Sequence, residues 1–189
     1  GYIDPDTGLF VMTEATLRSR GKCCGNGCRH CPFGRSLAYA GEKKESILIA
    51  PAGIEELAPD SVVLFWSGGK DSYLAFLELQ KRYTNIVWLT TYANDMVGHQ
   101  EIHIDIIKAQ AKACSIPLLL VPLANQERYE ETLIRALETI NVRTLAFGDL
   151  HLRGIRAWRE RFFRDYTLLF PVWECPYPKL LETLFAQSV

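Results

Sequence analysis

The stretch SGGKDS, residues 67–72, has the composition of an anion-binding loop. Gly68 and Gly69 have no β-carbon, so a phosphate can approach their backbone N–H groups closely. Ser67 and Ser72 add hydroxyl donors, and Lys70 adds a mobile positive charge. These residue types in this order predict a phosphate-binding loop.

Asp71 needs its own explanation, because a carboxylate repels phosphate. It either helps to hold Mg²⁺ or accepts hydrogen bonds from the start of a helix. The P-loop pattern is excluded, because it requires a glycine where the chain has Leu64 and a serine or threonine where it has Asp71. The dinucleotide fingerprint is excluded because no third glycine follows Gly68 and Gly69 at the required spacing. A tight turn with a solvated Lys70 is the alternative that needs no ligand.

Short apolar runs alternate with helical patterns in the part of the chain that follows Ser61. The predicted strands, covered on both faces, are Val62–Trp66, Ile86–Tyr92, Pro117–Val121, Thr144–Phe147 and Leu168–Pro171. The predicted helices, with apolar residues three and four apart, are Ser72–Arg82, Gln100–Cys114, Gln126–Ile140, Leu152–Phe163 and Pro178–Gln187. This alternation predicts an α/β fold, with a parallel five-stranded sheet and helices on both faces. The SGGKDS loop then lies at a strand end and a helix N-terminus, where such folds bind anions.

SGGKDS directly after an apolar strand resembles the pyrophosphate-binding loop of the N-type ATP pyrophosphatases, the PP-loop superfamily. The resemblance implies the adenine nucleotide alpha hydrolase-like fold, with ATP and Mg²⁺ bound at residues 67–72. It further implies that ATP is split into AMP and pyrophosphate, and that ammonia, an amine or sulfur attacks the adenylated substrate. Lys70 and Asp71 are the catalytic residues that it implies in this loop.

Three further stretches resemble the diphthine-ammonia ligase-like branch of that superfamily. FGDLHLRGIRAWRE, Phe147–Glu160, resembles its "GD" strand end and the helix that follows. GHQEIHIDIIKAQAKACSIPL, Gly98–Leu118, resembles its histidine-containing helix, and LFPVW, Leu169–Trp173, resembles its next strand. Glu174 departs from the branch, which has a glycine after the tryptophan.

The resemblance to this branch implies roles for five more residues. Gly148 and Asp149 would face the nucleotide at a strand end, Asp149 as a catalytic residue, with His99 near the same crevice. Arg156 and Arg159 would contact the substrate. Two alternatives stay open: Asp149 caps the following helix, and the arginines form a solvated basic face.

Four cysteines lie within nine residues near the start of the chain, and they are Cys23, Cys24, Cys28 and Cys31. Thiolates this close repel one another unless they are protonated or bind a cation, so the spacing predicts a metal. Zinc suits four sulfur ligands, and an iron–sulfur cluster suits the close spacing and the Cys-Pro ending. Disulfides are the alternative. The flanking basic residues, consistent with an RNA contact, are Arg18, Arg20, Lys22, Arg29 and Arg35.

Composition limits the organisation and the partners of the chain. Its 189 residues, 48% hydrophobic with a net charge of −1, suit one globular domain and a small appendage. We divide it into a cysteine-rich metal-binding module (1–39), a connector (40–60) and an ATP pyrophosphatase domain (61–189). No apolar run approaches the roughly 18 residues of a membrane span, so we expect a cytoplasmic protein without a membrane partner.

Together these features predict an ATP-dependent adenylating ligase that acts on a small molecule or a modified protein residue. One alternative is a tRNA-modifying, thiolating enzyme that uses the cysteine module to bind RNA or deliver sulfur. Another is a nucleotide sensor or interaction protein without catalysis. The sequence leaves the acceptor and the oligomeric state open, with a homodimer among the options.

Overall fold

The computed structural model describes residues 1–5, 8, 10–21, 28–33, 45–54, 56–98, 102–123 and 129–186. Its strands are β1 (Tyr2–Ile3), β2 (Phe10–Val11), β3 (Ile47–Ile49), β4 (Val62–Phe65), β5 (Ile86–Ala93), β6 (Met96–Val97), β7 (Ile102–His103), β8 (Leu118–Pro122), β9 (Thr144–Phe147) and β10 (Thr167–Leu169). Its helices are α1 (Glu14–Arg18), α2 (Lys70–Gln80), α3 (Ile104–Cys114), α4 (Tyr129–Thr139), α5 (Arg153–Phe162) and α6 (Tyr177–Phe185).

Five parallel strands form the centre of the main sheet, in the order β10-β9-β4-β5-β8. The predicted parallel five-stranded sheet is therefore confirmed. β3, within the segment predicted as a connector, adds an antiparallel edge strand beside β8. β6 and β7 extend the sheet as antiparallel strands from the carboxyl end of β5. β1 and β2 pair with each other in a separate antiparallel sheet.

Helices cover both faces of this sheet, as the sequence predicted. On one face, Leu74 of α2, Ile107 of α3 and Leu180 of α6 share a buried cluster with Leu64 and Trp88. On the other face, the buried residues of α4 pack with the C-terminal end of α5 against the alternate residues of the strands. Alternate strand residues point to opposite faces, so the continuous apolar runs bury both sides of the sheet.

Most predicted elements differ from the observed ones by one to four residues at their ends, and two of these differences have a clear physical reason. The helix predicted from Gln100 begins at Ile104, because His103 belongs to β7 and its Nδ1 accepts a hydrogen bond from the backbone N–H of Asp105 at 3.3 Å. His103 is thus the N-cap residue of α3. The last predicted strand ends at Leu169 and does not reach Pro171, which has no N–H to donate to a neighbouring strand.

The strand order places a crevice at the carboxyl ends of β4 and β9. From β4 the chain passes through α2 to β5 on one side, whereas β9 lies on the other side of β4. Ligands of open α/β sheets bind where the order of connection reverses in this way. None of the helices in the described ranges has the length and apolar character that crossing a membrane requires.

Candidate functional site

The turn between β4 and α2 depends on Gly68. Its φ of +77° lies in the left-handed region that favours glycine, and a β-carbon there would lie 2.7 Å from Cδ1 of Ile107. Gly69 follows as the N-cap of α2. The first backbone N–H groups of a helix have no partner within it and carry a partial positive charge, so this turn is suited to binding an anion.

Two serines brace the turn from inside. The Ser67 and Ser72 hydroxyl oxygens lie 3.2 Å apart, and Ser72 Oγ donates to the carbonyl oxygen of Gly69 at 2.8 Å. The N–H of Gly69 donates to Ser67 Oγ at 3.3 Å. The sequence predicted these hydroxyls as donors to a phosphate, and in the structure their hydrogen bonds lie within the loop and fix its shape.

Gly148 brings the end of β9 into contact with the start of α2. A β-carbon on Gly148 would lie 2.8 Å from the carbonyl oxygen of Asp71 and 3.0 Å from the amide nitrogen of Ser72. Real side chains do not approach backbone atoms this closely, so the position accepts only glycine without rearrangement. The predicted "GD" strand end and the SGGKDS loop are therefore neighbours.

Lys70 and Asp71 form an ion pair at the start of α2. Lys70 Nζ lies 2.6 Å from Asp71 Oδ1 and 5.6 Å from the centre of the Tyr177 ring. The hydrogen bond to Asp71 raises the pKa of the Lys70 ammonium. Asp71 lines a cavity at this edge of the sheet, whereas Lys70 is not among the residues that line it.

A cavity of about 280 Å³ opens at the carboxyl ends of β4, β5 and β9. Its lining includes Phe65, Trp66, Ser67, Asp71, Ser72, Leu89, Thr91, Val97, Gly98, Tyr129, Gly148, Asp149 and Arg159. The sequence reasoning missed Thr91 and Tyr129. Thr91 could have been found from its place at the end of β5, but no pattern marks Tyr129, whose pKa is raised by burial of its hydroxyl end.

Asp149 enters this cavity in a pair with Arg159. Arg159 Nε donates to Asp149 Oδ2 at 2.6 Å, and Nη2 donates to Oδ1 at 3.1 Å. The Asp149 side chain is 13% exposed and the Arg159 side chain is 17% exposed. Leu152 is the N-cap of α5, so Asp149 does not cap that helix.

Arg156 lies apart from the cavity. Its Nε donates to Glu160 Oε1 at 2.8 Å, and its guanidinium lies 4.5 Å from the ring centre of Phe170 and 4.7 Å from that of Trp173. It is not among the cavity-lining residues. The two arginines predicted to contact the substrate are thus in different surroundings.

Three predicted site residues, His99, Cys23 and Cys24, fall outside the described residues. The other two cysteines lie at the ends of a turn in which the N–H of Cys31 donates to the carbonyl oxygen of Cys28 at 3.1 Å. Within the described ranges no three histidine, cysteine or acidic side chains are grouped as a metal site would need, so these ranges give no support for zinc or an iron–sulfur cluster.

Two of the basic residues that flank the cysteines pair with carboxylates. Arg29 forms an ion pair with the buried Asp4, and Arg18 pairs with Glu14 at 2.5 Å. The Tyr2 hydroxyl lies 2.9 Å from Nε2 of His30, so the first strand contacts the turn between the cysteines. These pairs satisfy charges that the sequence interpretation assigned to RNA.

Comparisons with known proteins match two parts of the chain. Residues 1–36 match a family of unknown function (DUF5522), and residues 60–169 match the diphthamide synthase N-terminal domain. A crystal structure of a predicted subunit of tRNA methyltransferase from Methanocaldococcus jannaschii is 18% identical, with a TM-score of 0.44 over 65% of this chain and 74% of that one. The second family match covers more than half of the chain, and its superfamily supports ATP-dependent adenylation in general. The chain belongs to the diphthamide synthase N-terminal domain family of the PP-loop superfamily.

Proposed function

We propose that this protein cleaves ATP to AMP and pyrophosphate, and that the AMP activates a substrate carbonyl or carboxylate for attack by ammonia or an amine. The observation that carries the proposal is the shared cavity of the α2 N-terminal turn and the Gly148–Asp149 strand end. Membership of the PP-loop superfamily supports the use of ATP. In this proposal the acceptor is a small molecule or a modified protein residue, and the nucleophile is nitrogen.

The residues of the cavity fit a triphosphate chemically. The first N–H groups of α2 have no acceptor within the helix, so they attract phosphate oxygens. Neither Gly68 nor Gly69 carries a side chain that would block them. The cavity volume of about 280 Å³ is close to the lower end, roughly 300 Å³, of small-molecule sites. The Lys70 ammonium has three N–H donors, of which the Asp71 contact uses one, so it supplies further donors at the same turn.

Two carboxylates in this cavity fit a magnesium ion. Asp71 and Asp149 both line it, and Mg²⁺ prefers carboxylate oxygens together with substrate phosphates. When bound, the ion would supply positive charge against the pyrophosphate that leaves. The Lys70 ammonium, whose pKa is raised by its hydrogen bond to Asp71, would supply a second positive charge to the same leaving group.

Adenylation turns a poor leaving group of the substrate into a good one. A carbonyl or carboxylate oxygen is a poor leaving group until AMP is attached to it, and amines do not displace it at neutral pH. The substrate oxygen attacks the α-phosphorus of ATP and the bond to the bridging oxygen of pyrophosphate breaks. The amine nitrogen then attacks the activated carbon and loses a proton, and the bond between that carbon and the AMP oxygen breaks. Donors that already point at the phosphates stabilise the departing charge without reorganisation.

Product analysis with two lysine variants tests this proposal. Purified protein with Mg²⁺, ATP and ammonium should form AMP and pyrophosphate in equal amounts and no ADP, with water attacking the α-phosphorus in place of the acceptor oxygen. Lys70→Ala should lower this rate about 100-fold, the loss typical of one oxyanion donor. Lys81→Ala is the matched control, because Lys81 also pairs with a carboxylate of α2, Glu78, at 2.6 Å but lies beyond the other end of the helix. AMP release that persists unchanged in Lys70→Ala would defeat the assignment of the loop.

The same experiment separates the alternatives. A nucleotide sensor would bind ATP without forming AMP. A tRNA-modifying enzyme would form AMP only with RNA present and would bind that RNA with a steep salt dependence. No described contact favours the RNA alternative, since Arg18 and Arg29 are paired with carboxylates.

We also propose that the N-terminal cysteines hold a zinc ion or an iron–sulfur cluster. The proposal is supported by the sequence spacing and by the turn that Cys28 and Cys31 close. Two cysteines separated by two residues on one turn are a common half of a four-sulfur site.

A further inference from the structure

Asp149 has a single orientation at the edge of the cavity, because one guanidinium binds both of its oxygens. Arg159 donates from Nε to Oδ2 at 2.6 Å and from Nη2 to Oδ1 at 3.1 Å. A bidentate arginine–carboxylate pair fixes the plane of the carboxylate as well as its position. The two side chains are mostly buried, so water competes little for these hydrogen bonds.

The guanidinium itself is held by aromatic rings. It lies 4.0 Å from the ring centre of Phe147 and 5.8 Å from that of Phe65. Phe147 is fully buried and ends β9, immediately before Gly148 and Asp149. A planar cation against a fixed ring is pre-organised, so the orientation of Arg159 is set before any ligand arrives.

Two of the five N–H groups of Arg159, one on Nε and one on Nη2, are already committed to Asp149. A guanidinium has five N–H bonds in a rigid fork, and the edge with Nε and Nη2 faces Asp149. A phosphate or carboxylate of a substrate would have to displace Asp149 to receive a bidentate contact from this edge. The charge of Arg159 is also offset by its partner, so the partial positive charge of the α2 N-terminus is left to attract an anion at the loop.

We propose that Arg159 is a positioning residue that acts on the reaction through Asp149 and not by touching the substrate. This inference rests on the proposed function, in which Asp149 acts at the reacting phosphates. It assigns Arg159 a different role from the substrate contact that the sequence suggested. A lysine at position 159 would keep the charge but could not hold both carboxylate oxygens in one plane.

A double-mutant cycle tests the inference with Asp149→Asn, Arg159→Gln and the double variant, with AMP formation at saturating Mg²⁺ and ATP as the readout. A mispositioned carboxylate costs about 100-fold in rate, so we expect Arg159→Gln to lower AMP formation by that factor and Asp149→Asn to lower it at least as much. The double variant should match Asp149→Asn within about threefold, since residues that act as a unit are not additive. Arg159→Lys should have a thermal midpoint close to that of the wild type, but it should form AMP at less than about a tenth of the wild-type rate.

Arg164→Gln is the control, because Arg164 also pairs with an aspartate, Asp165 at 3.8 Å, but both side chains are more than 80% exposed. Its rate should stay within about twofold of the wild type. If the double variant is slower than Asp149→Asn by the full Arg159→Gln factor, Arg159 contacts the substrate directly and the inference is overturned. Full rate in a stable Arg159→Lys protein would also overturn it.

Two further outcomes are informative. If Arg159→Gln does not fold, the comparison of Asp149→Asn with the double variant still decides, because Asn and Gln keep a neutral hydrogen-bonding pair in place of an unpaired charge. Equal rates then support the inference and a slower double variant overturns it. If the wild type forms no AMP at all, the proposed function fails first, and the inference falls with it.

Discussion

Gly148 packs directly on the backbone of Asp71: a β-carbon on Gly148 would lie 2.8 Å from the Asp71 carbonyl oxygen. This contact joins the end of β9 to the first turn of α2, and both segments line one cavity. The distance between the predicted phosphate loop and Asp149 therefore depends on a glycine. A larger residue must push the two segments apart.

Gly148→Ala should weaken both the fold and the site. We expect the free energy of unfolding to fall by about 1–3 kcal/mol, the usual cost of an overpacked position, and ATP affinity to fall about tenfold. Gly53→Ala is the control: Gly53 has a φ of +89°, and among the described residues no neighbouring atom lies within 4 Å of an added β-carbon, so alanine there meets backbone strain alone. Urea titration and calorimetry with Mg²⁺ and ATP measure the two effects. Equal ATP affinity in both variants would contradict the role given to Gly148.

The Lys70 ammonium should titrate above the ordinary range for lysine. Its pKa is raised because the ammonium donates a hydrogen bond to Asp71, so Asp71→Asn should bring the pKa back toward the ordinary value. Carbon-13 NMR of the lysine Cε, followed from pH 8 upward in the wild type and in Asp71→Asn, measures the shift.

The Lys70–Asp71 pair also sets the direction in which the free energy of unfolding changes with pH. A pKa raised in the folded state means that folding favours the protonated lysine, so the contribution is fully present below the unfolded pKa of roughly 10.4. It is lost as the pH rises through the folded-state value. Because Lys70 keeps 44% of its side-chain exposure, the change should be small. A pKa at or below that of Asp71→Asn would rule out the ion pair in solution.

The Glu174→Gly variant should be more stable to unfolding than the Glu174→Ala variant. Its φ of +53° is left-handed, and the resembling branch has glycine at this position. Its side chain pairs with Arg153 at 3.4 Å, and because Arg153 is highly exposed this pair contributes little. We expect Glu174→Gly to exceed Glu174→Ala by about 1 kcal/mol in free energy of unfolding. At a right-handed helical position the order would be reversed, so alanine above glycine would refute the assigned backbone conformation.

Metal analysis tests the N-terminal proposal. Protein purified without air should contain about one zinc ion per chain and no visible colour, or iron with acid-labile sulfide and brown absorbance. Cys28→Ser and Cys31→Ser should each lower the metal content, whereas Cys114→Ser, an exposed residue at the end of α3, should not. Metal-free wild-type protein, or equal metal in all variants, would remove the proposal.

The sequence was sufficient for the core strands because parallel strands bury both faces and therefore read as unbroken apolar runs. It was insufficient for β3, β6 and β7, which have only two or three residues and cannot show a period. The turn between β5 and β6 did carry a signal, since Asn94 and Asp95, with φ of 50° and 60°, are residue types that tolerate left-handed backbone.

For the site, sequence order located the loop and the "GD" strand end, because carboxyl ends of adjacent parallel strands meet at one edge. It could not reveal that Arg159 pairs with Asp149, since the partners are ten residues apart across a loop and more than a helical turn. Nor could it show that Arg156, on the same helix, stacks on Phe170 and Trp173 away from the cavity. Such contacts depend on the packing of α5 against the sheet.

Hydrogen–deuterium exchange with and without Mg²⁺ and ATP tests the central claim most directly. The N–H groups of the first three residues of α2 have no acceptor within the helix, so they should exchange rapidly in the free protein. If ATP binds this turn, we expect protection of Gly68 to Ser72 and of Gly148 and Asp149, with no change in the distant peptide around Gly53. Unchanged exchange at the turn under saturating ATP, or protection only elsewhere in the chain, would contradict the account.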